Sequence, residues 1–478
     1  MKFKRLLAYF CAATLAGVAS SCAAGSAGTD AGVDAGPTDA GPGAPRDLDV
    51  VVLRFNPDGT IDSTFADAGI ARIDFGQTTG AARDSVYGMA QDSSGRTVLF
   101  GSTKATGRTD VDRVVVRLTS SGALDSAFAT TGVHRLDLAG TQDSPRHGFV
   151  QGDGKIVSSG YSPFSTGVAL ADGGTQTANR IVLLRLESSG APDLSFGDAG
   201  VVATPHFVPP NPTTTQWGMA EAYAVVPQSG ARYVTAGYGR AAASGTVDVV
   251  SARYSNSGAQ DSTWADAGTY LFDFIGGDER GRNAVSLPDD RVVIVGSGAP
   301  MAAGNVDALV SVLTAHGALD SSFDSDGVKT WSFGRADEGF FGNSLSAGAL
   351  TLAAVGYRTG PANTDSENDD AVLLVLPLSS GGHPEVARPV PLSATGHDRL
   401  FGAVWDGNKI VAAGFVREGA DTRIAVARFL SDGNFDTTFG NAGVSLVNVA
   451  VGAGVEETAR GVVVQTDGKI VVAGVAEH

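Results

Sequence analysis

The chain has 478 residues, 43% of them hydrophobic and 18% charged, with 64 glycines, 19 prolines and a formal net charge of -17. Such a chain can bury a large core, and its glycine and proline content favours many turns over long helices. An acidic surface without basic tracts argues against a nucleic-acid partner, because that binding depends on neutralising phosphates.

The N-terminus reads as a targeting device. Lys2, Lys4 and Arg5 precede an apolar run over residues 6–18, which ends in Ala19-Ser20-Ser21-Cys22. This is a secretory signal pattern over residues 1–21, and the run is too short for a stable membrane span. Its end resembles a bacterial lipoprotein cleavage box with Cys22 as the acylated residue, although Ala19 stands where a larger aliphatic is usual. Ordinary signal-peptidase cleavage nearby is the alternative. Cys11 leaves with the signal, so the folded part has no cysteine and depends on its core alone. Residues 23–47, rich in Ala, Gly, Ser, Thr, Asp and Pro, read as a disordered acidic tether. The expected location is an outer-membrane or cell-surface lipoprotein, otherwise secreted or periplasmic, touching the membrane only through its lipid.

From residue 48 to 478 the chain repeats. Ile61-Asp62-Ser63-Thr64-Phe65 returns as Leu124-Asp125-Ser126-Ala127-Phe128, and again around Phe196, Trp264, Phe323 and Phe439. A seventh, divergent unit has Glu385 in the aspartate position. Each unit predicts four short strands. The first two are joined by Asp-Gly or a related pair, as in Thr466-Asp467-Gly468, where glycine accepts the positive φ of a tight hairpin. The third strand is a β-branched run such as 113–118, followed by a glycine turn, the aromatic anchor and a glycine-led fourth strand. The sixth unit is the least regular, being proline-rich over 381–392.

The units are offset at the ends. The first begins at its third strand and the last stops after its second. A closed ring can join these halves into one sheet and leave no edge unpaired. The expected fold is all-β: a seven-bladed propeller of four-stranded antiparallel blades, closed by N- and C-terminal strands sharing a blade. The turns between strands 1 and 2 and between strands 3 and 4 then share one face. The irregular connections, longest at 161–179, 206–220 and 357–370, share the other, which becomes the expected binding face.

Several residues invite a chemical reading. Arg54, Arg117, Arg185, Arg253 and Arg428 each stand eight residues before Asp62, Asp125, Asp193, Asp261 and Asp436. A repeated structural ion pair is the expectation, since an active site needs one constellation rather than five. Phe65, Phe128, Phe196, Trp264, Phe323 and Phe439 are expected to pack between blades. Arg146, Arg282 and Arg460, with Arg399 one position off, are expected near the channel mouth beside Asp278, Glu279, Glu338, Asp398, Glu456 and Glu457, as a pocket or a solvated rim. No His-x-x-x-His, nucleophile elbow or phosphate loop occurs. No catalytic residue, metal ligand or cofactor is therefore assigned. Calcium at the aspartate turns has only weak support, because no Asp-x-Asp-x-Asp-Gly loop is present.

The combined motif, Val-Val-Val-Arg-Leu, Gly-x-Leu-Asp-x-x-Phe and Asp-Gly-Lys-Ile-Val-Val-Ala-Gly, resembles the bacterial delta-sixty repeat. Residues 114–132 and 461–474 match it best. The resemblance implies a propeller and an exported protein, and transfers no catalytic residue. The expected function is a binding or scaffold module of the cell envelope, with an unidentified protein or glycan on the variable-loop face. The alternative is a propeller enzyme acting on extracellular polysaccharide, as lyase or hydrolase. An enzyme is the less favoured of the two.

Overall fold

The computed structural model describes residues 47–477 except 76–82, 105–109, 139–141, 275, 300–304, 349, 360–368, 380, 395 and 451–454. The signal segment, Cys22 and all but the last residue of the tether lie outside the described residues, as does most of the 357–370 connection.

Strands β1 (Leu48–Phe55) and β2 (Ile70–Ile73) come first. Blade I follows as β3 (Ser85–Gln91), β4 (Thr97–Lys104), β5 (Val111–Leu118) and β6 (Val133–Leu136). Blade II is β7 (Ser144–Val150), β8 (Ile156–Ala169), β9 (Thr175–Leu186) and β10 (Val201–Thr204). Blade III is β11 (Met219–Gln228), β12 (Arg232–Arg240), β13 (Asp248–Tyr254) and β14 (Thr269–Phe272). Blade IV is β15 (Asp278–Ser286), β16 (Val292–Ala299), β17 (Asp307–Leu313) and β18 (Val328–Trp331). Blade V is β19 (Asp337–Leu345), β20 (Thr351–Thr359), β21 (Asp370–Pro377) and β22 (Val386–Pro389). Blade VI is β23 (His397–Asp406), β24 (Lys409–Glu418), β25 (Asp421–Leu430) and β26 (Val444–Val447). Blade VII takes β27 (Glu457–Val464) and β28 (Ile470–Glu477) from the end of the chain.

Blade VII is completed by the first two strands, in the order β2-β1-β28-β27. The β1–β28 pairing runs unbroken from Leu48↔Glu477 to Phe55↔Ile470. The protein is therefore a seven-bladed propeller of antiparallel four-stranded blades, closed by a shared blade.

The sequence explains the layering. Third strands such as β1 are buried along their whole length, as their unbroken Val/Leu runs require. Apolar clusters fill the space between successive blades; one joins Val157, Ile181, Leu183 and Phe196 of blade II to Tyr233, Val250 and Tyr254 of blade III. Among the described residues no helix is long and apolar enough to cross a membrane.

Two local expectations change. The long connection expected over 161–179 is mostly an extension of the β8–β9 hairpin, paired out to Ala169↔Thr175. The proline-rich 381–392 segment forms a fourth strand like the others, with Val386–Pro389 paired to β21. Pro389 sits on an outermost strand, where a missing N–H removes no ladder bond on the solvent side.

Candidate functional site

Every innermost strand carries a bulge, and all seven bulges fall at the same level. The register slips between Val86 and Gly88, Pro145 and Gly148, Ala222 and Ala224, Gly281 and Asn283, Phe340 and Gly342, Leu400 and Gly402, and Ala459 and Gly461. The extra residue re-aims one side chain per blade. Those residues are Tyr87, Arg146, Tyr223, Arg282, Phe341, Phe401 and Arg460, the rim arginines being three of them.

Each touches the next from Tyr87 round to Arg460. Arg146 stacks on Tyr87 at 4.6 Å and on Tyr223 at 4.4 Å. Arg282 lies 5.2 Å from both Tyr223 and Phe341. Phe341 meets Phe401 edge-on at 5.6 Å, and Arg460 covers Phe401 at 4.2 Å. Tyrosines of second strands, Tyr161 on β8 and Tyr238 on β12, complete the layer. Arg146 Nη2 donates to the hydroxyls of Tyr161 at 3.1 Å and Tyr223 at 3.0 Å, and the Tyr223 and Tyr238 hydroxyls are 2.9 Å apart. A guanidinium over an aromatic face is attracted to the ring quadrupole, more so when desolvated. On the other side of this layer is a cavity of about 390 Å³, lined by residues just past the bulges, among them Met89, His147, Asn283 and Asn343.

Arg399 differs from the other three. The register places it two residues before its blade's bulge, not one. It lies 4.2 Å over the Tyr357 ring and forms a two-nitrogen ion pair with Asp369, at 2.8 and 2.6 Å. The Tyr357 hydroxyl donates to Asp337 Oδ2 at 3.3 Å, and Tyr357 packs on Phe341 at 5.5 Å. Burial pushes the Asp337 carboxyl up, opposed by Arg399, Tyr357, Arg282 and Arg280. Against its own burial penalty, Asp369 is held down at about 2 by His397 and Arg399. Asp337, Tyr357, Arg399, Asp369 and His397 thus gather on one side of the ring. Sequence reasoning missed Asp337, Tyr357 and the aromatic bulge residues. The small residues after the bulges, Gly88, Gly342, Gly402 and Gly461, were the available signal.

The expected acidic rim is corrected. Glu279, Glu338, Asp398 and Glu457 are fully buried, three residues before their bulges, where they face the connection arriving from the previous blade. Glu338 accepts the Phe333 and Arg335 amides at 2.6 Å each. Asp398 accepts the Ala371, Leu392 and Ser393 amides. Asp84 and Asp143 occupy the same position and accept the Phe75 and Leu138 amides. Asp278 and Glu456 are half-buried.

The repeated Arg–Asp residues lie at the opposite ends of the blades. The Nε–Oδ2 distances are 2.7 Å for Arg54–Asp62, Arg117–Asp125 and Arg185–Asp193, 2.9 Å for Arg253–Asp261 and 2.8 Å for Arg428–Asp436. Each arginine also covers its own aromatic anchor, at 4.5 to 4.9 Å, and reaches a carbonyl of the next blade, as Arg54 does at Ser120 O, 2.7 Å away. A third partner comes from the hairpin lysines: Lys469, Lys155 and Lys409 pair with Asp62, Asp193 and Asp436. In blade IV, where Val312 replaces the arginine, Arg291 reaches Asp320 instead. Each of these aspartates accepts from an arginine and from the amide two residues on, as Asp125 does from Arg117 and Ala127, so the turns already supply their counter-charge without calcium. The anchors Phe65, Phe128, Phe196, Trp264 and Phe439 are at most 1% exposed, and Phe323 is half-buried.

Acidic groups able to coordinate a divalent cation do occur, at the other face. Asp49, Asp74 and Asp84; Asp110, Asp112 and Asp137; and Asp248, Asp273 and Glu279 each bring three carboxylates within 4.8 Å.

Fold and site together define a seven-bladed β-propeller with a cationic and aromatic ring at its channel. A family model described as a β-propeller domain of unknown function (DUF5122) matches residues 47–65, a third strand and its anchor, and 408–439, a second and third strand with their anchor. No curated protein matches the chain. Among solved structures, the polysaccharide lyase Uly1 is similar at 9% identity and TM-score 0.43, over 89% of this chain and 98% of that one. A Trypanosoma rangeli sialidase in complex with sialic acid is similar at 10% identity and TM-score 0.40, over 79% of this chain and 58% of that one. An exo-1,5-α-L-arabinanase from a bovine ruminal metagenomic library follows at 9% identity and TM-score 0.33, over 64% and 97%. Likeness at this level concerns the fold alone. All three are named as enzymes, against the leaning to a non-enzyme, and that leaning is withdrawn.

Proposed function

We propose that the channel mouth binds an acidic extracellular polysaccharide and that the chain acts on it, as lyase or hydrolase. The observation that carries this reading is the ring of bulge residues with the Asp337–Tyr357–Arg399 group beside it. Arginines held in place by aromatic faces can neutralise sugar carboxylates through charge-assisted hydrogen bonds. Asp337, whose carboxyl burial pushes up, and the neighbouring Tyr357 hydroxyl are the groups placed to move a proton. An envelope location, through a lipid on Cys22, belongs to the same proposal. It is supported by the signal pattern at residues 1–22 and by the delta-sixty resemblance.

The test is a panel of uronate-containing polysaccharides. Affinity electrophoresis reads binding, ultraviolet absorbance reads unsaturated lyase products, and a reducing-end assay reads hydrolysis. Asp337→Asn is expected to abolish turnover while the glycan still retards the protein, and Arg282→Met to weaken retardation at least about tenfold. Neither retardation nor product across the panel would sink the proposal.

A further inference from the structure

The three acidic triads occupy one architectural position. In two of them, a carboxylate at the start of a blade's third strand and another just past its fourth strand meet the buried acid that opens the next blade: Asp49, Asp74 and Asp84, then Asp248, Asp273 and Glu279. The triad of Asp110, Asp112 and Asp137 sits at the same level, next to buried Asp143. Proximity of acids alone is only a repulsive arrangement, and one of the three carries something more.

Glu279 is 0% exposed, and neither of its carboxylate oxygens has a hydrogen-bond partner. Burial pushes its carboxyl up, Asp273 and Asp248 add repulsion, and the nearby Phe274 and Gly277 amides ease this only in part, since neither reaches it in hydrogen-bond geometry. The acid at the same position in blades I, II, V, VI and VII accepts at least one backbone amide. Asp248 keeps one contact through Thr246 Oγ1 at 3.0 Å, and Asp273 accepts the Gly276 amide at 2.6 Å. Among the described residues no lysine or arginine forms an ion pair with any of the three, Arg280 being turned to Asp278 at 3.4 Å. A buried carboxylate with neither donor nor counter-ion costs several kcal/mol, on the order of the whole stability of a domain.

We propose that Glu279, Asp248 and Asp273 hold a hard divalent cation, calcium, between blades III and IV. The donors are all carboxylate oxygens, with no histidine or cysteine, which selects calcium or magnesium over zinc. Carboxylate oxygens that all lie within 4.8 Å of one another can share one ion at calcium–oxygen distances of about 2.3–2.6 Å, whereas magnesium demands a tighter, near-octahedral shell. The ion gives Glu279 the partner it lacks and joins the outer strands of one blade to the innermost strand of the next.

The test uses the full chain, stripped with a chelator and titrated with CaCl2, then MgCl2, by calorimetry, with native mass spectrometry to count ions. Wild type is expected to bind calcium at or below about 1 mM, the range of extracellular calcium modules, and to melt at a higher temperature with it. Glu279→Gln is expected to bind one ion fewer and to lose part of that shift. Asp273→Asn, at an exposed position, is expected to show the same loss and guards against misfolding of the first variant. No calcium heat in wild type, or an unchanged ion count in both variants, would overturn the site. A protonated Glu279 that needs no ion would give that second result.

Discussion

Arg185 shows how much one side chain does in this fold. Its guanidinium donates to Asp193 at 2.7 Å, the Tyr233 hydroxyl at 2.8 Å, Asn256 O at 2.7 Å and Ser195 Oγ at 3.1 Å. It also covers Phe196 at 4.5 Å, and both members of its ion pair are 2% exposed. Lysine offers a point charge without the planar fork, so it can serve one of these acceptors but not all. Arg185→Lys is therefore expected to destabilise the protein by about 2–4 kcal/mol, most of the loss seen on breaking a buried pair. Urea unfolding checks this; a change under about 0.5 kcal/mol, the scale of a surface substitution, would mean the pair is ornamental. The same turn contains its own compensation. Ala129 stands at φ 46, a strained region for alanine, but its amide donates at 2.8 Å to Ser189 O of the next blade. Gly190, beside that serine, has φ 84, and a Cβ there would lie 2.8 Å from the Phe128 ring.

At the scale of elements, the innermost strand is divided by its bulge. Beyond the bulge it lines the channel; before it, in five of the seven blades, a buried acid caps the incoming connection. Burial pushes Asp398 up to about 7, against the pull of the Ala371, Ser393 and Leu392 amides. Since its unfolded value is 3.8, folding takes up a proton between those limits. Its contribution is complete below about pH 4 and is lost as pH rises through about 7. Asp398→Asn should flatten that decline in a calorimetric series from about pH 4 to 8, while lowering stability at the acid end. An asparagine oxygen cannot serve all three amides, and its NH2 group faces a donor. Parallel slopes for wild type and variant would refute the assignment. Much of this element was legible beforehand. Asp467-Gly468 marks a hairpin through local turn chemistry, and Val462 to Val464 with Ile470 to Val472 mark its strands. The bulges were not legible, because a register shift is a relation between two strands. Arg146 and Arg399 look alike in sequence, yet one is a bulge residue and the other lies two residues before one.

For the whole molecule, closure of the ring is the decisive interaction. The offset ends, at Asp49 and Gly474, made a shared blade readable from sequence. The contacts that secure it were not, since they join residues about 400 positions apart. Arg428 donates to Pro57 O, the Gly440 amide to Asp58 O at 2.7 Å, Ser445 Oγ to Gly59 O at 2.7 Å, and Lys469 pairs with Asp62 at 2.8 Å. Strand β28 is buried along its whole length between β1 and β27. Ile470, Val471, Val472 and Val475 alone stabilise the fold by roughly 6–12 kcal/mol, an upper estimate at 1.5–3 kcal/mol each. That matches the entire stability of a typical domain, so deleting residues 466–478 should leave no folded monomer. It also bares two strand edges, β1 and β27, which are templates for pairing with another chain. Light scattering should then show oligomers or aggregate, with loss of the cooperative melt. A synthetic peptide of residues 466–478 added during refolding should recover monomer by restoring the central strand of blade VII. A truncated chain that stays monomeric and melts as wild type does would mean that the other six blades stand without the seventh, and closure would lose its role in stability.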